Sequence, residues 1–157
     1  MSHREHQWKP SVTVAAVVER DGRFLLVEED TRSGIRYNQP AGHLEDGESL
    51  IDAVIRETLE ESACDFTPEA LLGIYQYAHP DEGVTYLRFA FTGTASSPRP
   101  GYKLDAGIRR ALWMSATEIR ACADHHRSPL LQRCVDDCLA GIRYPLQAIH
   151  HFRRLAP

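Results

Sequence analysis

The alternation of apolar and polar positions divides this chain into short runs with turns between them. "SVTVAAVVER" (11–20) reads as a buried strand and "RFLLVEE" (23–29) as a second. Asp21-Gly22 separates them, a hairpin signal because primed turns need positive φ at their central positions. The run "DTRSGIRYNQPAGHLEDGES" (30–49) then loses periodicity. Rich in Gly, Pro, Asn and Asp, it reads as a loop, too polar for a core and long enough to carry function.

Helical periodicity starts near Ser49 and runs to about Ser62, with Leu50, Ile51, Val54, Ile55 and Thr58 on one apolar flank. "LLGIYQYAH" and "TYLRFAFTGT" predict two more strands, joined by a turn at "PDEG"; "SSPRPGY" reads as a loop and "RRALWM" as a last strand. Ser115 followed by Glu118 forms a capping box opening a short helix. "SPLLQRCVDDCLAG" predicts a final helix with Ser128 as N-cap, Pro129 at its first position and a stop near Gly141. No repeat, low-complexity tract or linker intervenes. The order of elements implies one mixed α/β domain over residues 1–157, with its core roughly between 10 and 145.

Composition fits that picture. The 157 residues are 43% hydrophobic and 25% charged, the balance of a globular domain with a proper core. A net charge of −4 argues against a general nucleic-acid binder. The longest apolar run, "VTVAAVV", is far short of a membrane span, and "MSHREHQWKP" lacks the apolar stretch of a signal peptide, so a cytoplasmic protein without membrane contact is expected. Cys64, Cys122, Cys134 and Cys138 form no CxxC pair and are expected as free thiols. Zinc held by Cys134, Cys138, His125 and His126 is conceivable, but both cysteines fall in the apolar stripe Leu130, Leu131, Cys134, Val135, Cys138, Leu139, Ile142, which reads as a core-facing helix.

The run "RETLEES" (56–62) changes the functional picture. Glu57, Glu60 and Glu61 stand at i, i+3 and i+4 and share one helix face, where each like-charge pair costs roughly 0.2–0.5 kcal/mol. A bound cation would offset that repulsion. Mg²⁺ wants oxygen ligands, and a diphosphate brings more of them. The ion can neutralise phosphate charge, position the substrate and make water a better nucleophile towards phosphorus.

Read outward, the run becomes Gly42, five residues, Glu48, seven residues, Arg56-Glu57, two residues, Glu60-Glu61. This resembles the Nudix box, G-x5-E-x7-R-E-U-x-E-E-x-G-U, with every charged position at the correct spacing. Thr58 stands where an aliphatic residue is usual, and Ala63 where the family has glycine, a replacement worth about 1 kcal/mol of strain if the backbone turns with positive φ. "KPSVTVAAVV", "NQPAGHLE", "LRFAF", "HRSPL" and "RYPLQAI" extend the likeness over nearly the whole chain, towards the NudJ group of phosphatases within that family.

The resemblance implies a Nudix-type α/β/α sandwich with a mixed β-sheet. It also implies a hydrolase of phosphoanhydrides dependent on Mg²⁺, with Mn²⁺ as substitute. Glu57, Glu60 and Glu61 would ligate the metal together with the backbone carbonyl of Ala41, Glu48 would be an auxiliary ligand, and Arg56 would orient the glutamates. Glu57 is also a candidate general base. Substrates implied are nucleoside tri- and diphosphates and hydroxymethylpyrimidine diphosphate, a thiamine precursor, cleaved with release of orthophosphate by a monomer or homodimer. The rivals are a pyrophosphatase for ADP-ribose-type nucleotide sugars or oxidised nucleotides, and a nucleotide-binding module without activity.

Other residues stay open at this stage. Arg88 either points into the cleft to pair with phosphate or stands on an exposed strand face, since alternation alone does not fix the face. Tyr37, Asn38 and Gln39 precede the box; an aromatic there could stack on a ring or pack in the core. Asp81, Glu82 and Asp105 could each be a loop-borne base, though for each the ordinary reading is a solvated surface acid.

Overall fold

The alternation in the first two strands is what builds the fold. The computed structural model describes residues 7–156, so the first six residues of the "MSHREHQWKP" reading lie outside it. Strand β1 (Ser11–Val17) sends Val14 and Ala16 into one apolar cluster and Ala15 and Val17 into another. In β3 (Arg23–Thr31), Leu25 joins the first cluster while Phe24 and Leu26 join the second. Period-two side chains thus feed two cores, one on each face of the sheets.

The main sheet has the order β5-β1-β7-β6, where β5 is Ala41–His43, β6 is Phe66–Ala78 and β7 is Thr85–Ala95. β1 runs parallel to β7 and antiparallel to β5, so the sheet is mixed. A second sheet joins β3 to β2 (Glu19–Arg20), β4 (Gly34–Asn38) and β8 (Ile108–Ser115). Helix α1 (Leu50–Ser62) buries Ala53 and Val54 in the first core. Helices α2 (Ala116–Ala121) and α3 (Leu130–Leu139) bury Ile119, Leu131, Cys134 and Val135 in the second. The result is the expected α/β/α sandwich, with all four cysteines free and Cys134 and Cys138 in the apolar core. Among the described residues no helix is long and apolar enough to cross a membrane.

Three expectations are corrected. Residues 30–49 are not one loop: they contain the end of β3 and the short strands β4 and β5. These pair at the sheet margins, where partly exposed strands carry no apolar alternation. β6 begins at Phe66 rather than near Leu71, and it accommodates Pro68 at an irregularity in its pairing with β7. Helix α3 starts at Leu130 with Pro129 as its cap; Ser128 does not cap it, but its Oγ accepts the Leu130 N–H at 3.2 Å. The Ser115–Glu118 capping box is present in both directions.

The two departures in the helical motif are absorbed locally. Thr58 is fully buried and its hydroxyl donates to the Val54 carbonyl at 2.7 Å, so the polar group is satisfied inside the core. Ala63 takes the left-handed conformation, φ 62° and ψ 10°, and so bears the strain that glycine would avoid.

Candidate active site

The helix that carries the acidic run is held by its start. Ser49 Oγ accepts the Asp52 N–H at 3.0 Å, and Glu48 lies just before that cap rather than on the helix. This explains why helical geometry places Glu48 poorly: it reaches back from the preceding turn. Its carboxylate takes two bonds from Arg56, Nη2 at 2.7 Å and Nε at 3.0 Å. The Arg56 bond, opposed by burial, keeps the Glu48 carboxyl below its ordinary range.

Arg56 is the hub. Its Nη1 donates to Glu57 Oε1 at 2.8 Å and to Glu60 Oε2 at 3.1 Å, and Nη2 donates to the His43 carbonyl at 3.0 Å. The guanidinium thus bridges two glutamates, with fixed donors matched to carboxylate oxygens. Glu61 lies outside its reach and accepts the Ala41 N–H at 3.1 Å. Gly42 has a steric reason: a Cβ there would stand 2.1 Å from the Glu57 carboxyl carbon, so only glycine lets the carboxylate lie over the strand.

One residue completes the ridge from elsewhere in the chain. Carboxylate oxygens of Glu57, Glu60 and Asp105 lie within 4.8 Å of one another, a grouping that could hold a metal ion. The Asp105 N–H donates to the Glu60 carbonyl at 2.9 Å, which ties its loop to the end of α1. From sequence Asp105 is either a loop-borne base or a solvated surface acid; the tertiary contact is what brings it to the ridge. Desolvation raises the pKa of Glu57 and Glu60, and it pushes Glu61 up to about 8, the Ala41 N–H opposing and the neighbouring acids adding to the rise.

The ridge borders a cleft of about 510 Å³. Its floor includes Thr13 and Arg88, paired across β1 and β7, and its far wall includes Tyr77, Tyr86, His79, Glu29, Arg127 and Ser128. Arg88 is only 5% exposed and is clamped from below: Nη1 donates to Gln39 Oε1 at 2.9 Å and Nη2 to Asn38 Oδ1 at 3.1 Å. It does lie at the cleft.

Gln39, expected at the substrate, is instead 1% exposed, with its amide spent on Arg88 and on the Leu131 carbonyl at 3.0 Å. Tyr37 likewise packs against the second core and donates its hydroxyl to Glu28 at 3.1 Å. Neither lines the cleft. Asp81 stays outside the carboxylate group, and Glu82 reaches the cleft wall, where it accepts the Tyr86 hydroxyl at 3.0 Å. Tyr77, His79, Tyr86, Arg127 and Glu29 were missed; the paired aromatic positions of β6 and β7 were the available signal.

The chain is similar to known proteins over most of its length. A NUDIX domain model matches residues 8–134. The phosphatase NudJ of Escherichia coli K12 is 39% identical over 145 residues, which is 92% of this chain and 94% of that protein. The solved structure of a NUDIX hydrolase from Nitrosomonas europaea is 53% identical, with a TM-score of 0.90 over 92% of this chain and 98% of that one. A UDP-X diphosphatase shares the fold at a TM-score of 0.71, covering 91% of this chain and 69% of that one, with 16% identity.

Proposed function

Because this chain belongs to the Nudix family, hydrolases of phosphoanhydride bonds in small molecules, we propose that it is a Mg²⁺-dependent phosphatase. Nucleoside tri- and diphosphates and hydroxymethylpyrimidine diphosphate are its substrates in this reading, and orthophosphate is the group released. The observation that carries it is the convergence of Glu57, Glu60 and Asp105 within 4.8 Å beside a cleft floored by Arg88.

The donor set suits a hard divalent ion, since all three groups offer carboxylate oxygen. Glu57, Glu60 and Asp105 would hold it, with Glu61 and the Ala41 carbonyl on the adjoining strand edge and Glu48 acting through Arg56. Bound there, the ion would neutralise phosphate charge and activate water towards phosphorus. Arg88, anchored by Asn38 and Gln39, presents positive charge to the phosphate chain from below. Arg127, on the loop before α3, does so from the wall. Glu57 Oε1 is engaged by Arg56, so Oε2 is the atom left either to face the ion or, where Glu60 and Asp105 hold the ion without it, to accept a proton from the attacking water. The lifted pKa of Glu57 makes it a better proton acceptor than an ordinary glutamate.

The test is a substrate panel with product identification: nucleoside tri- and diphosphates, ADP-ribose, an oxidised nucleoside triphosphate and hydroxymethylpyrimidine diphosphate, each with Mg²⁺, Mn²⁺ or chelator. Orthophosphate release that chelator abolishes is the expected result. Release of pyrophosphate or a nucleoside monophosphate would shift the reading to a nucleotide pyrophosphatase, and turnover in chelator would end the metal assignment.

A further inference from the structure

Glu29, an acidic residue of the cleft wall, lies near Glu61 but outside the group of Glu57, Glu60 and Asp105. β3 carries a bulge between Glu28 and Glu29 in its pairing with β8. Glu28 goes to Tyr37, Arg109 and Arg110, whereas Glu29 lines the cleft. A bulge of this kind re-aims side chains, and it is found next to functional sites for that reason.

Glu29 is poorly satisfied where it stands. Its side chain is 19% exposed, and Oε1 is buried with no hydrogen-bond partner. The nearest cation, Arg127 Nε, stands 3.7 Å from Oε1, too far for a hydrogen bond. A carboxylate kept out of water without a donor is costly, and a ligand that brings the donor removes the cost. Desolvation accordingly raises the pKa of Glu29, with Arg127 and Arg88 opposing. Glu29 is also not part of the carboxylate group at Glu57, and two guanidinium groups near it disfavour a metal cation.

The same cleft offers a place for a flat ring. Tyr77 and Tyr86 are directly paired across β6 and β7, and His79 meets Tyr77 edge-on at 5.9 Å and 69°. The His79 ring is fixed because Nδ1 accepts the N–H groups of Asp81 and Glu82, each at 3.2 Å. Aromatic faces of this kind stack heterocycles without regard to sequence of atoms in the ring, so discrimination needs a polar group at the rim.

We propose that Glu29 is that group: it accepts an N–H from the exocyclic amino group of the substrate's heterocycle, and so selects amino-substituted rings over keto rings. A keto oxygen at that position would face the carboxylate, and the N–H that a keto ring carries beside it could reach the carboxylate only if the ring shifted. This selection rests on the phosphatase reading above, and it narrows the substrate class of the same cleft.

The experiment compares CTP with UTP, which differ at that position in an amino and a keto group and at the neighbouring ring nitrogen, where only uracil carries a hydrogen. Orthophosphate release with Mg²⁺ is followed for the wild type and for Glu29→Gln, and kcat/KM for CTP is divided by that for UTP within each protein, so that any general loss cancels. The wild-type ratio should be about tenfold or more, the range in which a site loses affinity when its buried polar group is left unpaired. In Glu29→Gln the ratio should fall towards one, chiefly through KM, because the amide can donate to the keto oxygen as well as accept. Equal wild-type ratios, or a Glu29→Gln ratio unchanged from wild type, would overturn the proposal. Calorimetric Kd values for the two nucleotides with Mg²⁺ read the same preference without turnover. Absence of phosphate release with a preserved Kd ratio would therefore sink the phosphatase reading alone, and equal Kd values would sink this one.

Discussion

Glu61→Gln tests the carboxylate ridge most directly, because it changes charge and almost nothing else. In the folded chain desolvation lifts the Glu61 pKa from the ordinary 4.5 to about 8, with only the Ala41 N–H pulling the other way. The folded state therefore holds the proton more tightly than the unfolded chain. Glu61 contributes its full stabilisation below about pH 4.5, and loses it progressively as pH rises to about 8. At 1.36 kcal/mol per pH unit the span caps that loss at roughly 4–5 kcal/mol. Solvent at the cleft mouth and relaxation of the loop reduce it, so about 1–3 kcal/mol is the expected measurable effect. Glutamine keeps the shape, can still accept from Ala41 and has no proton to lose. Urea unfolding in chelator should show the variant about 1–3 kcal/mol more stable than wild type near pH 8.5, with the difference vanishing near pH 5. Saturating Mg²⁺ near pH 8.5 should narrow or reverse the gap, because an ion that binds the folded state stabilises the charged ridge. A stability difference of the same size at both pH values would refute the reasoning, since it could not come from the Glu61 proton.

Glu60→Gln should lower kcat by about 100-fold or more with an unchanged circular dichroism spectrum, and Asp105→Asn should raise the Mg²⁺ concentration for half-maximal rate about tenfold; near-normal values would remove those residues from the metal seat. Gly42→Ala should cost most of the activity with little loss of unfolding stability, because its Cβ would stand 2.1 Å from the Glu57 carboxyl carbon and push the end of that flexible side chain aside. Ala63→Gly should raise the urea midpoint at constant slope, by about 0.5–1 kcal/mol in stability, because φ at that position is 62°. No gain there would mean that the surrounding bonds, not the backbone preference, set the helix exit.

Strong local signals carried most of the architecture. The α1 periodicity, the Ser115–Glu118 box and the Asp21-Gly22 turn each rest on contacts within a few residues, and such contacts are written in adjacent letters. β5 leaves little local trace because its hydrogen bonds go to the distant β1, and β4, although it forms a hairpin with β3 through Thr31 and Gly34, has side chains too partly covered to show apolar alternation. The same limit applied to the site. Glu57, Glu60 and Arg56 meet because helical spacing makes them meet. Asp105 arrives from a loop 45 positions after Glu60 (105 minus 60), so no spacing rule could place it. Arg88 and Gln39 part company for a comparable reason: which way a side chain faces is settled by its tertiary partners, and here Arg88 lies at the cleft while Gln39 supports it from beneath.

Arg56 gives the acidic ridge a cation that never leaves. Its bonds to Glu48, Glu57 and Glu60 mean that the helix can fold and persist before any divalent ion is met, unlike small domains whose structure dissolves when their metal is stripped. Catalytic competence and structural integrity are thereby uncoupled. If turnover needs the proposed ion, its scarcity would idle this protein without unfolding helix α1, and resupply would restore function with no need to refold.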